Sequence, residues 1–104
     1  MSASVLARRQ LPPGTAQYTV RQAFASTAAG ATRDVVVAFP VAFADTNYTV
    51  AVNLRATAAA NWWEVDGTRT TSSVTIRVQN LTGLLLGLLG VAITGTVDLT
   101  VTHD

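Results

Sequence analysis

The sequence predicts an all-β chain: a small antiparallel β-sandwich of about six strands, preceded by an extended N-terminal arm. Three observations predict it. Apolar residues recur at every second position in several separate segments, the period of a strand with one buried face. Those segments are rich in Val, Ile, Thr and aromatic residues, which suit a pleated surface better than a helix. Turn-forming residues separate them roughly every eight to twelve positions, a spacing typical of sandwiches and barrels. With 104 residues the chain suffices for one domain and is short for two. The expected division is an arm over 1–15 and one sandwich domain over 16–104.

The arm holds Arg8, Arg9 and the break Pro12-Pro13-Gly14, which can neither continue a helix nor pair inside a sheet. A strand over Gln17 to Ala25 follows, with Tyr18, Val20 and Phe24 alternating against Thr19, Arg21 and Ala23. Small residues and Gly30 between Ser26 and Thr32 read as a turn. Val35, Val36, Val37 and Phe39 then form a second strand over Asp34 to Phe39, expected to be buried on both faces and stopped by Pro40. Phe43, Asp45, Thr46 and Asn47 form a hinge, because Asp and Asn side chains bond to backbone two residues on. The Phe43 ring is expected to plug the end of the core.

The clearest alternation puts Tyr48, Val50, Val52 and Leu54 on one face and Thr49, Ala51, Asn53 and Arg55 on the other. Asn61 to Val65 forms the next strand, closed by Asp66-Gly67, a pair suited to a hairpin turn. Val74, Ile76 and Val78 continue the pattern, and Val97, Leu99 and Val101 form a last strand against Asp98, Thr100 and Thr102.

Only 12% of the residues are charged, against about 25% in an ordinary soluble domain, so the surface is expected to meet partners. Seven Arg, no Lys and six acidic residues are spread along the chain. This provides no clustered basic footprint for nucleic acid. The absence of Cys excludes a disulfide framework and thiolate metal sites. Met1 to Gln10 lacks the apolar core of an export signal. The most apolar stretch, Leu81 to Ile93, is interrupted by Gly83, Gly87 and Gly90 and is shorter than the roughly 20 residues of a membrane helix. No membrane insertion is expected.

Enzymatic chemistry has little to build on. The single His, His103, lies beside the C-terminus, where chains tend to fray, so no nucleophilic triad, metal site or cofactor is expected. Glu64 and Asp66 lie two apart, a spacing that on a strand would aim both carboxylates to one side, as a glycosidase pair requires; this leaves a small glycan-active enzyme as a remote alternative.

Contact surfaces are the stronger expectation. Trp62 and Trp63 are adjacent, so on a strand they face opposite ways and one lies outside the core. With Asn61 and Asp66 they form the candidate ligand or partner surface, since Trp offers a rigid apolar face and one N–H donor. Leu84, Leu85, Leu86, Leu88 and Leu89 cannot all enter one small core and form the candidate oligomer interface. Arg8 and Arg9 are the candidate arm contacts to a neighbouring subunit.

The segment VVVAFPVAFADTNYTVAVNLRA, the later TRTTSSVTIRVQN and the closing GTVDLTVTHD resemble the C-terminal domains of bacteriophage tail-fibre and appendage proteins with an H-type-lectin-like fold. The residues carrying the likeness are Phe39, Pro40, Phe43, Tyr48, Val50, Ile76, Arg77, Val78 and Asn80, within a match running from Asp34 to the end. The closing strand departs from that pattern, with Leu99 and Thr100 where such domains often carry Trp and Ile. The resemblance implies a six-stranded sandwich that forms homotrimers on the virion surface, contacting other virion proteins and a host receptor or glycan. A capsid decoration protein stabilising the head is the alternative, because no fibre shaft accompanies the domain.

Overall fold

The computed structural model describes residues 4–8, 16–83 and 89–104. Among the described residues, seven strands form two antiparallel sheets: β1 (Ser4–Arg8), β2 (Ala16–Thr27), β3 (Thr32–Ala38), β4 (Tyr48–Ala56), β5 (Ala60–Glu64), β6 (Ser73–Asn80) and β7 (Ile93–His103). One sheet has the order β1-β2-β7-β4 and the other β3-β6-β5. The fold is thus the all-β sandwich that the alternation predicts. The stretch expected as an arm contributes β1, which pairs with β2 from Ser4 opposite Arg21 to Arg8 opposite Tyr18, with a register shift between Val5 and Ala7.

The core lies between the inner faces. In the four-stranded sheet, Val20, Leu99 and Val52 stand side by side across β2, β7 and β4, and Tyr18, Val101 and Val50 form the adjacent row. Val35 lies beside Ile76 and Val37 beside Val74 on the opposing sheet, all four fully or almost fully buried. Gly95 continues the β7 inner row between Phe24 and Ala56. A Cβ there would sit 1.9 Å from the Arg55 carbonyl oxygen, so this position accepts only glycine.

Each end of the sandwich is closed by a different device. At one end Phe39, Phe43 and Tyr48 pack with ring centroids 5.2–5.5 Å apart, and Tyr18 adds a fourth ring 6.0 Å from Phe43. Phe43 thus stands at the end of the core, and Asp45 Oδ1 accepts from the Asn47 amide at 2.9 Å, the Asx bond expected of that hinge. His103 stacks on Phe43 at 5.2 Å, and its Nε2 lies 2.7 Å from Asp45 Oδ1. The C-terminal strand is therefore held, not frayed.

At the other end Asn80, fully buried, donates to the carbonyls of Thr27 at 2.9 Å and Val91 at 2.6 Å. Its Oδ1 accepts from the Thr82 amide at 2.9 Å. The backbone of Asn80 bonds to both Gly30 and Ala31. One residue, through backbone and side chain together, thereby joins the β2–β3 turn to both ends of the β6–β7 connection.

One expectation is corrected. Strand β3 is buried on one face only: Val35 and Val37 are in the core, while Val36 is 58% exposed. β3 is the edge of its sheet, and no described residue buries its outer side at Val36, so a run of β-branched residues here reflects strand propensity as well as burial. The turn expected at Asp66-Gly67 lies in the connection over 65–72 that joins the antiparallel pair β5 and β6. Gly67 takes φ +76°, and the Thr68 amide closes the turn onto the Val65 carbonyl at 3.3 Å.

Candidate contact surface

The outer face of the β3-β6-β5 sheet brings two of the sequence-predicted residues together. Asn61 stands opposite Gln79, and Trp63 opposite Arg77. On the other side of β6, Thr32 faces Gln79 and Asp34 faces Arg77. A continuous row Trp63, Arg77, Asp34 therefore crosses the sheet, with Val36 one step along β3. Trp63 is 37% exposed. Trp62, on the opposite side of the strand, stands beside Val78 and packs against the core, so the two indoles divide as the strand period requires.

The charge in this row is internally balanced. Arg77 Nε donates to Asp34 Oδ1 at 2.7 Å and Nη2 to Oδ2 at 3.2 Å. This bidentate bond holds the Asp34 carboxyl below its ordinary range and raises the Arg77 guanidinium. The surface thus offers an indole and an isopropyl group flanking a neutralised ion pair. Such a face suits contact with a flat apolar or amphipathic partner.

The remaining candidates are placed elsewhere. Asp66 is exposed in the turn beyond β5. Glu64 is committed to Arg69, whose Nε and Nη2 donate to its two carboxylate oxygens at 2.6 and 3.0 Å. Arg69 also donates to the Tyr48 carbonyl and lies 4.7 Å over the Tyr48 ring. The carboxylate that would lead a glycosidase pair is thus occupied as a structural link between the edges of the two sheets. Among the described residues, no group of three His, Asp or Glu side chains could hold a metal ion.

Arg8 lies in β1 opposite Tyr18, whereas Arg9, Leu84, Leu85, Leu86 and Leu88 fall outside the described residues. Leu89 is 87% exposed and Val91 49% exposed, so apolar surface does emerge on the β6–β7 connection.

No protein-family model, curated protein or solved structure matches the chain.

A second surface was missed by sequence reasoning. On the outer face of the four-stranded sheet, Asp98 is bracketed by Arg21, with Nε to Oδ1 at 2.9 Å, and Arg55, with Nε to Oδ2 at 3.2 Å. The bond to Asp98 raises the Arg21 guanidinium. Beside this triad, the Thr19 and Thr100 hydroxyls lie 3.2 Å apart, and Gln17 donates to the Thr102 hydroxyl at 3.0 Å. The outward alternation of Arg21, Asn53, Arg55 and Asp98 was visible in the sequence. Their meeting was not, because it depends on which strands pair.

Proposed function

We propose that this chain is a non-enzymatic, homo-oligomeric module on the surface of a bacteriophage particle, of the tail-fibre or appendage type, contacting partners through the outer face of its three-stranded sheet. One observation carries the contact surface: Trp63 is directed outward beside the neutralised Asp34–Arg77 pair and the exposed Val36. Large apolar groups on a face without layered cover are characteristic of binding sites. The virion location, the trimeric state and the contact with a host receptor or glycan rest on the resemblance carried by Phe39, Pro40, Phe43, Tyr48 and Asn80.

The test is to localise the protein on purified particles by labelled antibody, alongside the mass of the purified protein in solution. A few copies at the tail together with a trimeric mass support the proposal. Many copies spread over the head would replace it with capsid decoration, and absence from every particle would overturn it.

A further inference from the structure

We infer that Asp66-Gly67, in the turn after β5, is a site of spontaneous covalent rearrangement: the aspartyl residue converts through a cyclic imide to isoaspartate, and the conversion releases the Arg69 link between the two sheets. The turn runs from Val65 to Thr68, whose amide donates to the Val65 carbonyl at 3.3 Å. Asp66 and Gly67 occupy its central positions, both exposed, with the glycine at φ +76°. The amide between the central residues takes no part in the closing bond of a β-turn, and the Gly67 N–H has no backbone partner among the described residues.

The reaction needs a carboxyl group, a free amide nitrogen on the following residue and room for the two to meet. The Gly67 nitrogen attacks Asp66 Cγ and a new C–N bond forms; the amide proton and the carboxyl hydroxyl leave together as water. Water then opens the imide. Addition at Cγ restores aspartate, whereas addition at the main-chain carbonyl carbon breaks its bond to nitrogen and leaves the chain running through Cγ, with a free α-carboxylate. No side chain on Gly67 obstructs the approach, and even a Cβ placed there would meet nothing within 4 Å. Asp66 makes no hydrogen bond or ion pair among the described residues that would hold its carboxylate away.

Asp34, Asp45 and Asp98 lack this combination. Asp34 is clamped by Arg77 and Asp98 by Arg21 and Arg55, each within a strand and followed by a branched residue, Val35 or Leu99. Asp45 accepts from the Asn47 amide and bonds His103, and Thr46 follows it.

Isoaspartate lengthens the main chain inside a turn whose span is fixed. The Thr68 hydroxyl donates to the Val65 carbonyl at 2.6 Å and accepts from the Thr75 amide at 3.3 Å, so Thr68 sets where the chain leaves the turn. Its neighbour Arg69 holds Glu64 through both carboxylate oxygens and donates to the Tyr48 carbonyl on the other sheet. With the turn lengthened, the Thr68 closure opens and Arg69 loses its fixed place. Neither step depends on the proposed function.

The test is incubation of the purified protein for several weeks at neutral pH and body temperature in heavy-oxygen water, followed by peptide mapping and NMR. Isoaspartate and incorporated heavy oxygen are expected at Asp66, with loss or shift of the Thr68 amide and Arg69 Nε–H signals in step with conversion. Asp66→Glu should show neither label nor rearrangement at this position, because its longer side chain closes the corresponding ring far less readily. Asp66→Asn should convert faster through the same imide, with loss of ammonia, which checks that the turn admits the ring. Absence of isoaspartate at Asp66 in the wild type would overturn the inference. So would equal conversion at Asp34, Asp45 or Asp98, or conversion at Asp66 that leaves the Thr68 and Arg69 signals unmoved.

Discussion

Trp62 and Trp63 are neighbours in the chain and lie on opposite sides of one sheet: Trp62 stands beside Val78 on the core side, and Trp63 beside Arg77 on the outer side. The pair therefore separates stability from contact within two residues. Trp62→Ala removes a half-buried indole from the core boundary and should cost about 2–4 kcal/mol, read by urea unfolding. Trp63→Ala should change stability by less than about 1 kcal/mol while weakening self-association or particle attachment. If both substitutions destabilise equally, Trp63 is a packing residue and the outer face is not a contact surface.

Asn80 makes a different kind of prediction, because its side chain is wholly buried and bonds to Thr27, Thr82 and Val91. Asn80→Ala leaves the Thr27 carbonyl, the Val91 carbonyl and the Thr82 amide without this partner. An unsatisfied buried polar group costs about 1–3 kcal/mol, so a loss of about 2–4 kcal/mol is expected. Asn80→Asp should be no better, since a carboxylate cannot donate to the two carbonyls. Hydrogen exchange should locate the added opening at the amides of Gly30, which donates to the residue-80 carbonyl, and of residue 80, which donates to the Ala31 carbonyl; unchanged protection there would count against the linking role.

What could be read in advance follows from how local each cause is. The strand Tyr48–Ala56 was legible because its burial alternates along the chain, and Trp62 and Trp63 because adjacent strand residues must oppose. Val36 shows the converse: three consecutive Val look alike whether a strand is covered on both faces or on one. Asp98 lies 77 residues from Arg21, and His103 lies 58 from Asp45. Such contacts are set by strand order, which a single sequence does not encode in any local pattern. The part of the candidate site that was legible, Asn61 with Trp63, is accordingly the part carried by one strand.

Gly95 tests the closeness of β7 to β4. Its backbone runs where a Cβ would stand 1.9 Å from the Arg55 oxygen and 2.9 Å from the Ala56 Cα. Those are backbone atoms of a paired strand and cannot move aside without breaking the ladder. Gly95→Ala should destabilise by about 2–3 kcal/mol or more, seen as a fall in the calorimetric midpoint. Gly67→Ala offers the comparison: it has φ +76° but nothing within 4 Å, so it should cost only about 1–2 kcal/mol, from backbone strain alone. A smaller loss at Gly95 than at Gly67 would contradict the close approach.

Acid should act first through Asp45 and Asp34. The carboxyl of Asp45 is held below its ordinary value by the bond to His103 and then by the Asn47 amide, and that of Asp34 chiefly by Arg77. A carboxyl whose folded pKa is depressed binds fewer protons in the folded state than in the unfolded state. Its contribution to stability is therefore fully present above the unfolded value, near 3.8, and is lost as the pH falls from there through the folded value. Thermal midpoints should thus be level near neutrality and decline on the acid side of the ordinary carboxylate range. Asp45→Asn and Asp34→Asn should each flatten that decline, because the variant lacks the group whose protonation drives it. The Asp45 variant should also loosen the His103 end of β7, visible as broadened or shifted His103 ring resonances. An acid limb identical to wild type in both variants would mean that other carboxylates govern acid unfolding.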